Sequence, residues 1–355
     1  MVQNIIVSPS PHIRKHHSTQ SVMLDVIIGL VPAMTAAVIF FRLRAVLVVG
    51  ACVISCVIFE RLCNLVRKRP SSIGDLSAVV TGIILASSLP PSMPVWACII
   101  GSGFAIIIGK MVFGGLGSNI FNPAMAGRCF LTACFGTMMT TWTVPATIDP
   151  NMPKIGEVRT ASVPAALTQA TPLALSKEAI KSRPAFRRGL AFGGAGGQGT
   201  KAATVNSIFN YMFVGEVGGC LGETSALALI IGGIYLLIKG TIGYIIPAAV
   251  LVSAFICASI GWLIDPQYYI APWVHLAGGG LLIGAFFIAT DPVSAPLTKK
   301  GMWIFGAGVG AMTMLIRIVG EYPEGVMFAV LLMNSLTPLI DRLTKLTPTG
   351  GMANA

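Results

Sequence analysis

The chain has 355 residues, of which 54% are hydrophobic and only 10% are charged, and its mean hydropathy is +0.81. Soluble domains carry about 25% charged residues, so this composition excludes an ordinary soluble domain and indicates a polytopic helical membrane protein. The net charge of +11 does not indicate nucleic-acid binding, because the basic residues lie mostly at the ends of apolar runs, where they set topology and contact anionic lipid.

The chain begins with a polar, basic stretch, residues 1–21, which lacks a small-residue cleavage site behind an apolar core. We therefore expect the first apolar run to remain as a membrane helix. The predicted runs are approximately 22–41, 45–65, 75–89, 94–113, 122–140, 224–239, 243–263, 274–290, 302–319 and 324–340. Runs 75–89 and 274–290 are short and end next to proline, which predicts broken or half-length helices.

The two halves of the chain resemble each other. GIILASSLP (Gly82–Pro90) matches GAFFIATDP (Gly284–Pro292) in its spacing from glycine to proline, and the proline-led FNPAMAG later in the first half matches YPEGVMF in the second. An odd number of spans per repeat inserts the second copy upside down. The sequence predicts an all-α fold of about ten transmembrane helices, in two inverted five-helix repeats, 22–140 and 224–341. Chance similarity between glycine-rich helices is the alternative.

The distribution of basic residues predicts the topology. With the N-terminus inside, the short inner segments hold Arg14, Lys15, Arg61, Arg67, Lys68, Arg69, Lys110, Lys239, Lys299, Lys300, Arg342 and Lys345, and the short outer segments hold Arg42, Arg44 and Arg317. This bias follows the positive-inside rule. It places the tails 1–21 and 342–355 in the cytoplasm and the long segment 141–223 on the outer face.

Acidic residues within or beside the apolar runs are candidates for function. A carboxylate at membrane depth is costly unless it pairs, faces a cavity or binds a cation. For Asp75, Glu223 and Asp291, helix capping and contact with an ion or cofactor are both open alternatives, whereas Asp25 is expected to be a structural residue at an interface.

The glycine-rich stretch FGGLGSNIFNPAMAG, Phe113–Gly127, breaks one helix and opens the next at an Asn-Pro step. A helix N-terminus at membrane depth suits an anion or an electron-rich ring edge, and Arg128 adds a positive charge there. Asn119 and Asn122 are therefore candidate contacts, and a tight re-entrant turn is the alternative. No metal site is predicted, because seven of the eight cysteines lie in apolar runs and no Cys-x-x-Cys occurs.

Four motifs carry a resemblance that covers nearly the whole chain, in order. They are GKMVFGGLGSNIFNPAMAG, VGEVGGCLGETSALALIIGG, ATDPVSAPLTKKG and YPEGVMFAVLLMN. Together they resemble the family of ion-translocating oxidoreductase subunits that contains the D subunit of the Rnf complex and the B subunit of the sodium-pumping NADH:quinone reductase. The length of the chain fits the Rnf branch better.

The resemblance implies a covalent flavin. In this family an outer-face threonine is esterified to the phosphate of FMN, within a motif that reads roughly Asp-x-x-Ser/Thr-Gly-Ala-Thr. Thr168, Ala170 and Thr171 match that motif here, whereas Ala165 and Gln169 depart from it. Thr171 is the implied acceptor and Thr168 the next candidate, although TQAT without the resemblance would indicate an ordinary polar loop.

The implied function is that of a membrane subunit of a ferredoxin:NAD⁺ oxidoreductase that translocates Na⁺ or H⁺ across the bacterial inner membrane. The subunit would relay electrons through FMN and would need the other membrane and soluble flavin and iron–sulfur subunits, a flavin transferase for maturation, and membrane lipid. The family also implies a non-covalent riboflavin within the helices. The possible flavin or ion contacts are Asp75, Asn119, Asn122, Arg128, Glu223, Thr224 and Asp291, in or near the broken regions Gly115–Asn122, Gly219–Ser225 and Thr290–Ser294.

Three other functions stay open at this point. The chain could be the B subunit of the NADH:quinone reductase, a solute channel or transporter that uses inverted repeats without a flavin, or a structural scaffold of a membrane enzyme. It has no Rossmann fingerprint, so it is not expected to bind NAD itself.

Overall fold

The computed structural model describes residues 18–70, 72–143, 173, 209, 212–215, 218–264, 269–320, 322 and 324–344. Both predicted tails, apart from a few flanking residues, and most of the predicted outer segment lie outside this part of the chain. Thr168 and Thr171, the predicted acceptors, also lie outside the described residues.

Helices make up the described elements. Outside the sparsely described stretch 144–217 they are α1 Thr19–Phe41, α2 Leu43–Val66, α3 Ser77–Ser87, α4 Val95–Ile106, α5 Pro123–Cys134, α6 Gly136–Met139, α7 Ala226–Lys239, α8 Ile245–Ile264, α9 Pro272–Ala277, α10 Leu281–Ile283, α11 Lys299–Ile318 and α12 Val326–Leu343. The π-helical segments Ile107–Met111 and Gly284–Ile288 extend α4 and α10, and single 3₁₀ turns occupy Ile73–Asp75 and Leu221–Glu223.

The fold is that of a polytopic helical membrane protein, as predicted. Among the described residues, α1, α2, α8, α11 and α12 are long and apolar enough to cross a membrane. Shorter apolar helices are α3, α4 with its extension, and α7. Each of the ten predicted runs contains helix, but only these five meet the length of a full span.

Of the two runs predicted to be broken or half-length, the first forms a short helix and the second is interrupted. Helix α3 has 11 residues and ends at Ser87, before the Pro90–Pro91 pair. The run 274–290 stops at Ala277 and resumes at Leu281. The intervening segment Gly278–Gly280, called the glycine break below, leaves backbone carbonyls free to accept hydrogen bonds from other elements.

Three helices begin at a residue whose side chain caps the helix N-terminus. Ser18 accepts a hydrogen bond from Ser21 N, and Asn122 accepts from Ala124 N at 3.1 Å. Ser225 accepts from Ala228 N at 3.3 Å at the start of α7. Since Ser225 caps α7, capping by Glu223, one of the two alternatives for that residue, is wrong.

The two halves pack against each other through corresponding helices. Helix α1 packs on α7, the first helix of each half, and α5 packs on α12, the last of each half. Within the halves, α2 packs on α4 and α8 packs on α11. Two repeats related by a two-fold axis would pair in this way. The opposite insertion of the halves and the domain limits stay predictions.

Contact between α1 and α7 depends on two glycines. An added Cβ at Gly232 would overlap the carbonyl oxygen of Gly29, because the two helix backbones meet there. We expect Gly232→Ala to destabilise the protein by about 1–3 kcal/mol through overpacking. Gly50→Ala is the matched control, since nothing lies within 4 Å of its added Cβ.

Thermal unfolding of both variants in detergent measures this difference. The Gly50→Ala protein should melt close to the unsubstituted protein, because its added Cβ meets no neighbour. Equal melting temperatures for the two variants would contradict the close approach of α1 and α7.

Candidate functional site

The candidate residues separate into two groups at opposite ends of α7. Glu223 and Thr224 lie just before this helix, whereas the cleft that contains Asn119, Asn122 and Asp291 is also lined by Thr241, just after it. Helix α7 has 14 residues, which correspond to about 21 Å of rise. The sequence treated these residues as one set, and the fold makes two sites of them.

The first group is centred on Arg128. Its Nη2 donates to Glu324 Oε2 and, at 3.4 Å, to Cys220 Sγ. Its Nη1 lies 3.7 Å from Glu223 Oε1. All three side chains with a formal charge are buried, so α5 brings a guanidinium to two carboxylates that come from the segments before α7 and α12.

A second buried arginine, Arg317, completes this group. Its Nη1 donates to the carbonyl oxygen of His275 at 2.7 Å, and its Nη2 donates to that of Gly278 at 2.9 Å. These carbonyls belong to α9 and to the glycine break, so Arg317 provides the donors that the interrupted helix lacks. Arg128, Glu223, Arg317 and Glu324 are called the arginine cluster below.

Sequence reasoning missed half of this cluster. Arg317 was counted only as an outer charge, and Glu324 was seen only within the motif YPEGVMF. The repeat held a usable signal, because YPEGVMF aligns with FNPAMAG, the segment that precedes Arg128. The alignment places Glu324 at the start of the helix that corresponds to the helix of Arg128, so it indicates that the two side chains could pair.

Each residue of the glycine break leaves room for a different neighbour. An added Cβ at Gly278 would overlap Met212 Cε, and one at Gly279 would lie 2.8 Å from Leu173 Cδ1. An added Cβ at Gly280 would lie 2.9 Å from Glu223 Oε1. The break thus seats two side chains of the predicted outer segment and one carboxylate of the arginine cluster.

A second, smaller space, called the small cleft below, lies at this junction. Its walls are formed by Leu173, Met212, Gly218, Gly219, Glu223, Thr224, Ala277, Gly278, Gly279 and Glu324. The Thr224 hydroxyl donates to the Leu221 carbonyl oxygen at 3.2 Å. The small cleft therefore joins the segment that contains the predicted flavin threonine to the two buried carboxylates.

Several polar atoms of this site have no hydrogen-bond partner among the described residues. They are Arg128 Nε, Glu223 Oε1, His275 Nδ1 and Arg317 Nε. Buried polar atoms are almost always paired, so the site retains capacity to bind a further polar group.

Three possible metal ligands also meet in this region. Cys220, Glu223 and Glu324 each place a ligand atom within 4.8 Å of the others. Arg128 reaches all three side chains, and its positive charge offsets the carboxylates that a cation would need. The group is better described as an arginine-carboxylate site than as a metal site.

The second group lines a larger cleft, called the large cleft below. Its lining includes Val22, Met23, Ser77, Thr81, Ile84, Lys110, Asn119, Asn122, Leu236, Thr241, Phe286, Phe287, Thr290 and Asp291. These residues come from both halves of the chain, so the cleft lies between them.

The two asparagines of the large cleft have different roles. Asn122 caps α5 and its Nδ2 donates to the Ile288 carbonyl oxygen in the other half at 3.4 Å. Asn119 Nδ2 donates to the Phe121 carbonyl oxygen at 3.0 Å, whereas Asn119 Oδ1 is buried without a partner among the described residues. Asn119 therefore presents a free acceptor.

Asp291 accepts hydrogen bonds within its own turn. Val293 N donates to it at 3.2 Å and Ser294 Oγ at 3.1 Å. It also lines the large cleft, so the structure supports a local turn-capping role for Asp291 and leaves cleft contact open.

Asp75 stands outside the lining of the large cleft but is connected to it. It accepts from Ser77 N at 2.8 Å, as a residue near the start of α3 would, and Ser77 also receives a hydrogen bond from Lys110. Lys110 donates to the two oxygens of Glu60 at 2.9 and 3.0 Å. The sequence indicates only a topological role for Lys110 and gives no signal for Glu60, yet both side chains are fully buried.

Comparison with known proteins gives a consistent result. Residues 6–350 match the model of the NQR2, RnfD, RnfE family. The chain is 44% identical over 345 residues to the D subunit of the Na⁺-translocating ferredoxin:NAD⁺ oxidoreductase complex of Acetobacterium woodii, and the match covers 96% of this chain and 94% of that protein.

Two further relatives are similar over comparable lengths. The D subunit of the proton-translocating ferredoxin:NAD⁺ oxidoreductase complex of Clostridium ljungdahlii is 39% identical, with 96% and 94% of the two chains covered. The D subunit of the ion-translocating oxidoreductase complex of Cronobacter sakazakii is 36% identical, with 96% and 97% covered. The two named couplings differ in their ion, so similarity alone does not assign one here.

Proposed function

The chain belongs to the NQR2, RnfD, RnfE family, and from that premise we propose that it is the D-type membrane subunit of an ion-translocating ferredoxin:NAD⁺ oxidoreductase complex. Its role is to relay electrons through a flavin while the complex moves Na⁺ or H⁺ across the bacterial inner membrane. It acts together with the other subunits of that complex, after a flavin transferase has attached FMN to Thr171.

One observation supports the flavin role most directly. Leu173, two residues after Thr171, is buried against the glycine break and lines the small cleft beside Glu223 and Glu324. Two residues of extended chain span at most about 7 Å. Thr171 lies outside the described residues, so the proposal rests on Leu173, its neighbour two positions along the chain.

We place the proposed tethered flavin phosphate near the small cleft, beside the arginine cluster. FMN would supply one- and two-electron redox chemistry there, and the protein would supply position and charge. Arg128 and Arg317 balance the two carboxylates of the arginine cluster, and each retains an Nε without a partner among the described residues. Leu173 and Met212 hold the segment on the glycine break, so these apolar side chains position the tether and exclude water.

We assign the proposed second, non-covalent flavin, a riboflavin, to the large cleft between the two halves of the chain. Phe286 and Phe287 provide apolar surface for a ring system, and Asn119 Oδ1 offers an acceptor to a ring N–H.

The proposed coupling of ion movement to electron transfer involves the acidic candidate residues. If Asp75, Glu223 or Asp291 lines an ion path, its occupancy depends on the charge of a nearby flavin, because an added negative charge attracts a cation. The proposed orientation, with both termini cytoplasmic and the flavin segment outside, rests on the distribution of basic residues.

Flavin fluorescence of the denatured chain tests this function. A chain purified from membranes that contain the maturation enzyme should give a fluorescent band and a Thr171 peptide that carries the mass of FMN. A channel or transporter would give neither, and a scaffold would conserve electron transfer without Thr171. An unmodified peptide would overturn the proposal.

The contact between Leu173 and the glycine break gives a second expected result. Gly279 has φ +65° and Gly240 has φ +73°, so alanine is strained at both positions by about 1–2 kcal/mol. Only at Gly279 does the added Cβ also meet Leu173 and Arg317. We expect iodide to quench the covalent flavin more strongly in Gly279→Ala than in Gly240→Ala.

Gly240→Ala serves as the control because nothing lies within 4 Å of its added Cβ. Equal quenching in the two variants would show that backbone strain alone explains any change in the exposure of the flavin to iodide. It would also show that Leu173 does not position the flavin.

A further inference from the structure

Helices α1 and α7 share one outward face of the helix bundle. Their backbones meet at Gly29 and Gly232. On both helices the exposed residues recur at intervals of three or four, away from the buried side, which is the spacing of a seam on which another helix packs. This α1–α7 face consists of Leu24, Ile28, Val31, Thr35 and Ile39 on α1 and Leu227, Ile231, Ile234 and Ile238 on α7.

A carboxylate lies at the edge of the α1–α7 face. Asp25 on α1 accepts hydrogen bonds from Tyr235 Oη at 3.2 Å and from Thr241 Oγ1 at 3.1 Å, so it ties the two halves of the chain together. Asp25 is only half-buried, and it lies beside the exposed Leu24 and Ile28 on the same helix. Carboxylates in membrane spans almost always face the bundle interior or a cavity. A face that leaves Asp25 partly exposed is therefore poorly suited to lipid tails.

Helix α7 is also short for a helix that faces lipid. Its 14 residues rise about 21 Å, whereas the hydrocarbon core of a bilayer is about 30 Å thick. The residues just before it, Leu221–Glu223, are buried, so they add no lipid-facing surface. Helix α2, with 24 residues, rises about 36 Å and has no such deficit. A short apolar surface is accommodated by thinning the bilayer or by association with another protein.

We propose that the α1–α7 face binds an apolar transmembrane helix of another subunit of the complex. The inference rests on the proposed function, since it requires that this chain works within a complex, as its relatives named as D subunits do. The bound helix packs along the exposed seams of α1 and α7 and separates Asp25 from lipid. It also spans the depth of the bilayer that α7 does not reach.

The apolar surface by itself does not select this face. Helix α2 exposes Leu47, Ile54, Ile58, Leu62 and Leu65 in the same way. Because α2 is long enough to cross the bilayer and no acidic residue of it is exposed, lipid alone suits its outward side. The half-buried carboxylate and the short helix distinguish the α1–α7 face from that of α2.

Photocrosslinking in the complete complex tests the proposal. A benzophenone amino acid takes the place of Ile231, and native membranes are irradiated. We expect a covalent adduct between this chain and another subunit. Ile54 is the matched control, since it is also an isoleucine near the middle of its helix and is 61% exposed, against 52% for Ile231. We expect no adduct with another subunit when the benzophenone is placed at Ile54.

A second position keeps the test decisive if the substitution at Ile231 prevents assembly. Ile28 lies on the α1 side of the same face, and a benzophenone there should give an adduct with the same subunit. Loss of assembly with substitutions at both Ile231 and Ile28, but not at Ile54, would also support the proposal, because the bulky group would then displace the bound helix.

Three results would overturn the proposal. An intact complex without adducts from Ile231 and Ile28 would mean that lipid covers the face. An adduct between two copies of this chain would mean that the face is a homodimer interface. Equal adducts with other subunits from Ile231 and Ile54 would mean that neither Asp25 nor the length of α7 determines where subunits bind.

Native gel electrophoresis of the same membranes separates the two levels of inference. A chain that migrates without other subunits contradicts the proposed function. A chain that migrates within the complex but gives no adduct contradicts only the α1–α7 docking face.

Discussion

Replacing Thr171 by alanine is expected to abolish the flavin fluorescence of the denatured chain. The threonine hydroxyl is the proposed point of attachment, and alanine has no oxygen that could form the phosphate ester. The loss should be complete, because a covalent site is either occupied or absent. Electron transfer through the complex should fall to background as well, since the proposed relay loses its cofactor.

Two control variants make this result specific. Thr171→Ser keeps a hydroxyl and should retain part or all of the fluorescence, whereas Thr168→Ala should leave it unchanged. A band that persists in Thr171→Ala and disappears in Thr168→Ala would move the attachment to Thr168. A band that persists in both variants would contradict a threonine ester in the TQAT stretch.

Replacing Arg128 by methionine is expected to have the largest effect on stability. Glu223 and Glu324 would keep their buried positions and lose the guanidinium that contacts both. Removal of one partner from a buried ion pair typically costs about 3–5 kcal/mol, because an uncompensated charge is left behind. The melting temperature of the purified protein in detergent should fall accordingly.

The control for Arg128→Met is Arg342→Met, because Arg342 is exposed in the last turn of α12 and its loss should cost little. A rescue variant sharpens the test. Adding Glu223→Gln and Glu324→Gln to Arg128→Met removes both stranded charges and should recover part of the lost stability. Failure of this rescue would mean that Arg128 stabilises the fold by packing rather than by charge.

The apolar runs could be predicted from sequence because the membrane sets their length and composition. All ten runs contain helix, and the two short runs that end next to proline are interrupted or end early. The start of α5 could also be predicted, since an asparagine cap followed by proline is common at the N-terminus of a helix. Capping of α7 by Glu223 is one of two alternatives that the sequence leaves open, and the structure shows Ser225 as the cap, in line with the preference for serine at this position.

The partners of the buried charges could not be read from the sequence. Arg128 and Glu324 are 196 positions apart, and Lys110 and Glu60 are 50 apart. A lysine or arginine beside an apolar run follows the positive-inside rule whether it faces lipid headgroups or a buried carboxylate. Lys110 and Arg317 were therefore assigned to topology, although both proved to be buried hydrogen-bond donors.

The sequence by itself determined that this chain is a helical membrane protein of a recognisable family, since hydropathy and ordered motifs are local properties. Only the tertiary structure decided which candidates share a site, placing Asn119, Asn122 and Asp291 at one end of α7 and Arg128, Glu223 and Thr224 at the other. It also placed Leu173 on the glycine break. The physical reason is that a buried charge must be satisfied by whatever the packed helices bring near it, and that pairing is a property of the whole fold.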